Sequence, residues 1–170
     1  MVNGIEKYYL YPGYIFISED PYLIHTVLGS CVSVCLWDSI RMYGGMNHFI
    51  YSRPFGDEKN SKFGNVSIKH MLGLMYGKGS LARNLRAHII GGGHSGHMNP
   101  AVGEANIEIA ERILAAEGIR VVTNDTGGQT GRKVVFNNCS GEIIIYKGSN
   151  MRKGGGYDGE YNQNKSADNR

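Results

Sequence analysis

The sequence predicts a single α+β domain. Short runs of β-branched and aromatic residues recur between clusters of Gly, Pro, Asn, Asp and Ser, the mark of strands and their turns. Two stretches carry an apolar stripe at helical spacing. The strand-like runs come in groups and do not alternate one for one with helices, which separates the pattern from a regular βαβ fold. A chain of 170 residues is of single-domain size and buries roughly two-thirds of its unfolded surface. Its 25 glycines demand many tight turns.

Taken in order, residues 14–18 and 23–27 read as strands parted by the turn formers Glu19-Asp20-Pro21. A third strand runs from Cys31 to Trp37, with Ser33 its only polar member, and Asp38-Ser39 ends it. A fourth covers 45–51 and closes at the loop Arg53-Pro54-Phe55-Gly56-Asp57. The cysteine thus opens one extended segment and His48 lies within the next, and a hairpin would set them side by side. Residues 57–64 are polar and read as an exposed loop. Val66, Ile68, Met71, Leu72, Leu74 and Met75 form the first helical stripe.

Residues 85–90 are a strand that runs into Gly91-Gly92-Gly93, and Pro100 intervenes before the second helix. That helix shows Ile107, Ala110, Ile113 and Leu114 on one face and stops at Gly118. Strands at 119–123, 133–137 and 142–146 complete a domain read as residues 1–148. From 149 to 170 the composition collapses into Gly, Asn, Asp, Lys and Ser, too little apolar surface to order a segment, and a disordered tail is expected there.

Charge and cysteine usage exclude several classes of function. The net charge is +3 and the basic residues are scattered, without the stripe of basic and aromatic residues that nucleic-acid binding favours. Three cysteines are an odd number, unlike a secreted disulfide framework. The N-terminus lacks a basic segment followed by an apolar core, and no apolar run approaches a membrane span. A reduced, cytoplasmic chain without membrane insertion is the expectation. The Walker pattern fails after Gly91-Gly92-Gly93, and the match of Gly91, Gly93 and Gly96 to G-x-G-x-x-G is weak in a loop so rich in glycine, so no nucleotide is expected.

The candidate chemistry centres on Cys31. It follows Gly29-Ser30, where the backbone can turn sharply and aim amide hydrogens at one point, suited to a thiolate and to an oxyanion. The alternative is a small buried hydrophobe, the ordinary fate of a free cysteine, and for Cys35, in a continuous apolar run, that alternative prevails. His48 is the nearest histidine after Cys31; it is either a general base or a hydrogen-bonded core residue. A cysteine–histidine pair normally needs a third group to orient the imidazole, and Thr26 lies just upstream of the same turn. A zinc set from Cys31 and Cys35 with His48 or Cys139, to which His94 and His97 add candidates, is disfavoured because no second matched cysteine pair exists. No metal or cofactor is expected. The segment 125–132 is a turn that doubles as a backbone-rich rim.

Thr26-Val27-Leu28-Gly29-Ser30-Cys31-Val32-Ser33-Val34-Cys35-Leu36-Trp37-Asp38 followed by Gly44-Gly45-Met46-Asn47-His48-Phe49 closely resembles the CheD family of chemoreceptor glutamine deamidases. Gly91-Gly92 after a strand, Val102-Gly103-Glu104-Ala105-Asn106 opening a helix, and Asp125-Thr126-Gly127-Gly128 before a strand ending Phe136-Asn137 agree in order. The resemblance implies a three-layered α/β/β fold similar to that of Rho-deamidating toxins. It implies hydrolysis of selected glutamine side chains to glutamate, with release of ammonia, in methyl-accepting chemotaxis receptors. Its catalytic cysteine, histidine and threonine fall on Cys31, His48 and Thr26, with Ser30 and Asn47 expected at the oxyanion and substrate, in an open, shallow cleft. Partners implied are the receptors' cytoplasmic helical region and, for some members, a CheC-type phosphatase. The competing expectation is a mainly non-catalytic module that docks on receptors or on such a phosphatase.

Overall fold

The computed structural model describes residues 4–94, 96 and 99–149; the expected tail from 150 onward lies outside them. Nine strands and two α-helices occur among the described residues. The strands are β1 (Glu6–Tyr9), β2 (Ile15–Ser18), β3 (Tyr22–Leu28), β4 (Val32–Asp38), β5 (Tyr43–Asn47), β6 (Leu85–Gly91), β7 (Arg120–Thr126), β8 (Gly131–Asn137) and β9 (Ile143–Gly148). The helices are α1 (Gly64–Gly77) and α2 (Pro100–Ala116). A four-stranded sheet has the order β1-β3-β8-β9 and a five-stranded sheet the order β2-β5-β4-β6-β7. The fold is α+β, as the grouping of strands predicts.

Strand alternation builds two cores on the two faces of the larger sheet. Val32, Val34 and Leu36 of β4 join Ile68, Met71, Leu72 and Met75 of α1 and Ile109, Ala110, Ile113 and Leu114 of α2. Cys31, Cys35, Met46 and Ile90 turn the other way, onto Ile24, Leu28, Val134 and Phe136 of the smaller sheet. Helices, five strands and four strands are therefore stacked in that order. Leu74, assigned to the α1 stripe from sequence, is 44% exposed and lies off that stripe, because Ile68, Met71, Leu72 and Met75 already fill the face.

Three local readings are corrected. Glu6–Tyr9 forms a strand that the polar sequence does not advertise; it pairs in parallel with β3, Tyr8 opposite Ile24 and Tyr9 opposite His25. Pro100 does not hold α2 away from the glycine loop but starts it. The missing N–H of proline costs nothing in the first turn, and the Asn99 side chain caps the helix by accepting from Ala101 N at 3.0 Å. The strand expected over 45–51 ends at Asn47, so His48 lies just beyond β5. The cause is Asn47 itself: its side-chain Oδ1 accepts the Val34 N–H at 2.7 Å and interrupts the β4–β5 ladder. Pairing resumes at Val32 and Phe49, whose N–H groups donate to each other's carbonyls at 3.1 and 3.0 Å.

Candidate active site

His48 turns its backbone away from β4 and toward the β2 side, continuing the register that pairs Ile15 with Asn47. His48 N–H donates to Tyr14 O at 3.1 Å, and its carbonyl accepts Gly13 N–H at 2.7 Å. The antiparallel bridge between Val32 and Phe49 puts Cys31 and His48 at diagonal positions on one face. Diagonal pairs stand about 7–8 Å apart at their Cα atoms, a gap that an imidazole ring narrows to contact range. That face is the one turned toward the smaller sheet. Cys31 is 7% exposed and His48 is 1% exposed, so both are almost wholly enclosed at the inter-sheet core. The thiol is recessed, in contrast to the open, shallow cleft expected.

Thr26 arrives from the opposite sheet. Along β3, Ile24, Thr26 and Leu28 point toward the larger sheet, while His25 and Val27 lie on the opposite face, where His25 is buried beside the Tyr9 ring. The Thr26 Oγ1 lies 2.8 Å from His48 Nδ1 and donates to the carbonyl of Leu10 at 3.0 Å. A hydroxyl has one proton. Given to Leu10, that proton leaves Thr26 as an acceptor, so His48 Nδ1 must carry the hydrogen and Nε2 the free lone pair. The tautomer is thereby set by a backbone carbonyl two bonds removed from the imidazole.

The turn carrying the thiol is tied down one carbonyl at a time. Gly29 O accepts Gly93 N–H at 2.9 Å, Ser30 O accepts Asn106 Nδ2 at 3.0 Å and Cys31 O accepts Gly92 N–H at 2.8 Å. This close contact explains the glycine run. Gly91 has φ +113°, and a Cβ there would strike the Cys31 carbonyl. Behind the run, Gly103 of α2 packs on the Gly92 backbone, with no room for a side chain. Ser30 is half-buried and contributes through its backbone, whereas Asn47, expected at the oxyanion, is wholly buried with its carbonyl oxygen engaged by Val34.

The segment between β7 and β8 forms part of the rim. Gly127 N–H donates to Gly91 O and Gly128 O accepts His94 N–H, both at 2.9 Å. Arg132, 3% exposed, pairs with Asp125 at 3.1 Å and holds Thr130 O at 2.9 Å, and Lys147 reaches the same carboxylate at 2.9 Å. Burial alone would raise the Asp125 pKa, but the hydrogen bonds from Lys147 and Arg132 prevail and hold it below its ordinary value. Cys35 is a core thiol whose pKa burial pushes well up. No group of three metal-ligating side chains gathers among the described residues, and His97 lies outside them. No helix among the described residues is long and apolar enough to cross a membrane.

Two participants carry weaker marks in the sequence. Leu10 acts through its carbonyl, which no side chain reveals. Asn106 falls four residues before Ala110 and seven before Ile113, on the buried stripe of α2. A polar residue in an apolar stripe is a readable signal, and here it reaches Ser30 O and Ile50 O, the latter at 2.8 Å. Beside it opens a cleft of 370 Å³ lined by Tyr51, Phe55, Phe63, Val102, Ala105 and Asn106.

Comparison with known proteins places the chain in a family. Residues 51–147 match the family described as CheD, chemotactic sensory transduction. The chain is 37% identical to a protein of Sulfurimonas denitrificans over 145 residues, covering 82% of this chain and 93% of that one. It is 35% identical to a protein of Trichlorobacter lovleyi over 155 residues, covering 89% and 96%. A protein of Rhodospirillum rubrum is 34% identical over 148 residues, covering 85% and 84%. All three bear the name "Probable chemoreceptor glutamine deamidase CheD". With a family match over more than half its length and relatives above 30% identity over most of theirs, the chain belongs to the CheD family.

Proposed function

We propose that this protein is a protein-glutamine glutaminase that deamidates glutamine side chains of methyl-accepting chemotaxis receptors through a Cys31–His48–Thr26 thiol mechanism. The observation that carries the reading is the relay Leu10 O, Thr26 Oγ1, His48 Nδ1, which leaves His48 Nε2 as a base on the face it shares with Cys31. The names of the relatives supply the substrate class.

In the first half-reaction His48 Nε2 takes the Cys31 proton and the thiolate sulfur bonds to the glutamine Cδ. The carbonyl π electrons move to oxygen, held by the amide hydrogens of the Ser30–Cys31 turn. His48 then returns the proton to the amide nitrogen, the C–N bond breaks, and ammonia leaves a thioester. In the second, His48 deprotonates a water, whose oxygen bonds to the same carbon, and the C–S bond breaks. Glutamate and the free thiol remain. A slender amide side chain on a receptor helix fits a recessed thiol, and the apolar cleft lined by Tyr51, Phe55 and Phe63 seats the flanking side chains.

The stacking of helices on two sheets supports kinship with Rho-deamidating toxins, and the family resemblance supports a CheC-type phosphatase as regulator. The deciding experiment is mass spectrometry of a receptor cytoplasmic fragment incubated with wild type or Cys31→Ala. Conversion of glutamine to glutamate at discrete sites, by wild type alone, is expected. Binding of the fragment with no conversion would replace the enzyme by a regulatory docking module.

A further inference from the structure

We infer that Asn106 is a positioning residue that sets the distance between Cys31 and His48. The inference rests on the catalytic reading above. Asn106 is wholly buried, and its Nδ2 donates to Ser30 O at 3.0 Å and to Ile50 O at 2.8 Å. Ser30 immediately precedes the thiol, and Ile50 is two residues past the imidazole. By the register of the Val32–Phe49 bridge, Ile50 lies opposite Cys31. One side chain from the helix layer therefore grips both arms of the candidate active site just beyond the Val32–Phe49 bridge, where the pairing between them ends.

The orientation of this amide is unambiguous. Both acceptors are carbonyl oxygens, so the NH2 group must face them, and both of its hydrogens are used. The Asn106 Oδ1 is buried without a hydrogen-bond partner. Burying an unpaired amide oxygen is unfavourable, and an apolar side chain of similar volume would avoid it. What an apolar residue cannot do is draw two carbonyls to one point. The helix that carries Asn106 is itself registered on the thiol turn, since Gly103 packs on Gly92 and Gly92 N–H holds Cys31 O. Position and donor geometry thus come from the same first turns of α2.

The test uses the full chain with Asn106→Leu, which keeps the volume and removes both donors, and Asn106→Ser, which keeps one hydroxyl donor in a smaller side chain. Two quantities are read: kcat and KM on a receptor cytoplasmic fragment, and the pH profile of iodoacetamide alkylation resolved at Cys31 by peptide mass spectrometry. His48→Ala is the reference, for it shows how much of the wild-type profile depends on the imidazole. For folded Asn106→Leu, kcat falls by about tenfold to a hundredfold at unchanged KM, the scale of an ångström-sized misplacement. Its alkylation profile moves toward that of His48→Ala, and Asn106→Ser lies between. If Asn106→Leu does not fold, Asn106→Ser decides. A folded variant with the wild-type profile and wild-type kcat overturns the inference, as does a kcat loss that follows only the unfolded fraction. Should wild-type Cys31 alkylate like His48→Ala, the catalytic reading falls, and the inference with it.

Discussion

The two faces of strand β4 show how one sheet serves two purposes. Toward the helices, Val32, Val34 and Leu36 enter a core built almost wholly of aliphatic side chains and methionines. Toward the smaller sheet, Cys31, Ser33 and Cys35 share space with Thr26, His48 and His88, all buried. The first face can tolerate no polar atom without a cost, and it anchors the strand. The second partners Thr26 with His48 and with the Leu10 carbonyl, and His88 with the Gly141 carbonyl, while the Ser33 hydroxyl is buried without a partner. Separation by alternation lets a single residue step divide stability from chemistry.

The largest effects should lie on the chemical face. Replacing Cys31 or His48 by Ala is expected to lower ammonia release at least about a thousandfold, as for nucleophile and base in other hydrolases, while the urea midpoint stays near that of wild type. A midpoint that collapses together with activity would erase the contrast between faces. The converse substitution is Met75→Ala on the helix side. It should cost about 2–5 kcal/mol of unfolding free energy and leave kcat per folded molecule unaltered, measured by denaturation and by activity titrated against active thiol.

Thr26 tests the boundary between the faces. Thr26→Val keeps the shape but loses the hydroxyl, so His48 can take the wrong tautomer; kcat should fall about a hundredfold. Thr26→Ser should retain most of the activity. Equal losses for both would mean that the methyl packing, and not the hydroxyl, is what the site needs.

The smallest effect is a pH dependence at His88, where burial lowers the imidazole pKa and the bond to Gly141 O only partly offsets it. As pH falls through the ordinary histidine value of about 6.5, the unfolded chain takes up a proton that the folded one resists. The contribution of the neutral His88 is therefore full above that pH and is lost toward the lower folded-state pKa. Wild type should show a shallow decline in Tm over this window that His88→Gln flattens.

How much of this was legible in the sequence follows from distance along the chain. Cys31 immediately precedes β4 and His48 immediately follows β5, the two strands of one hairpin, so apolar patterning and one turn are enough to pair them. Thr26 is suggested by its place just upstream of the thiol turn and by the family resemblance, but its contact with His48 crosses between sheets and no local pattern shows it. Parity of the strand then separates Thr26 from His25, which is buried on the opposite face of the smaller sheet. Glu6–Tyr9 was missed because a parallel edge strand needs no apolar alternation. For Asn47, expected at the oxyanion, the structure adds a second use that no sequence pattern shows: its side-chain oxygen takes the place of a backbone carbonyl for Val34. Asn106 is 76 residues from Ser30 in sequence, beyond any local pattern.

The acceptor at Leu10 has a consequence for when the protein becomes competent. Leu10 directly follows β1, an edge strand that joins the sheet in parallel and can dock only after β3 is in place. A chain whose hairpin has closed but whose first strand is still loose would hold Cys31 and His48 together with an unbiased imidazole. The edge strand thus works as an interlock. Until the Leu10 carbonyl is in place the imidazole has no fixed tautomer, and the thiol lacks an oriented base.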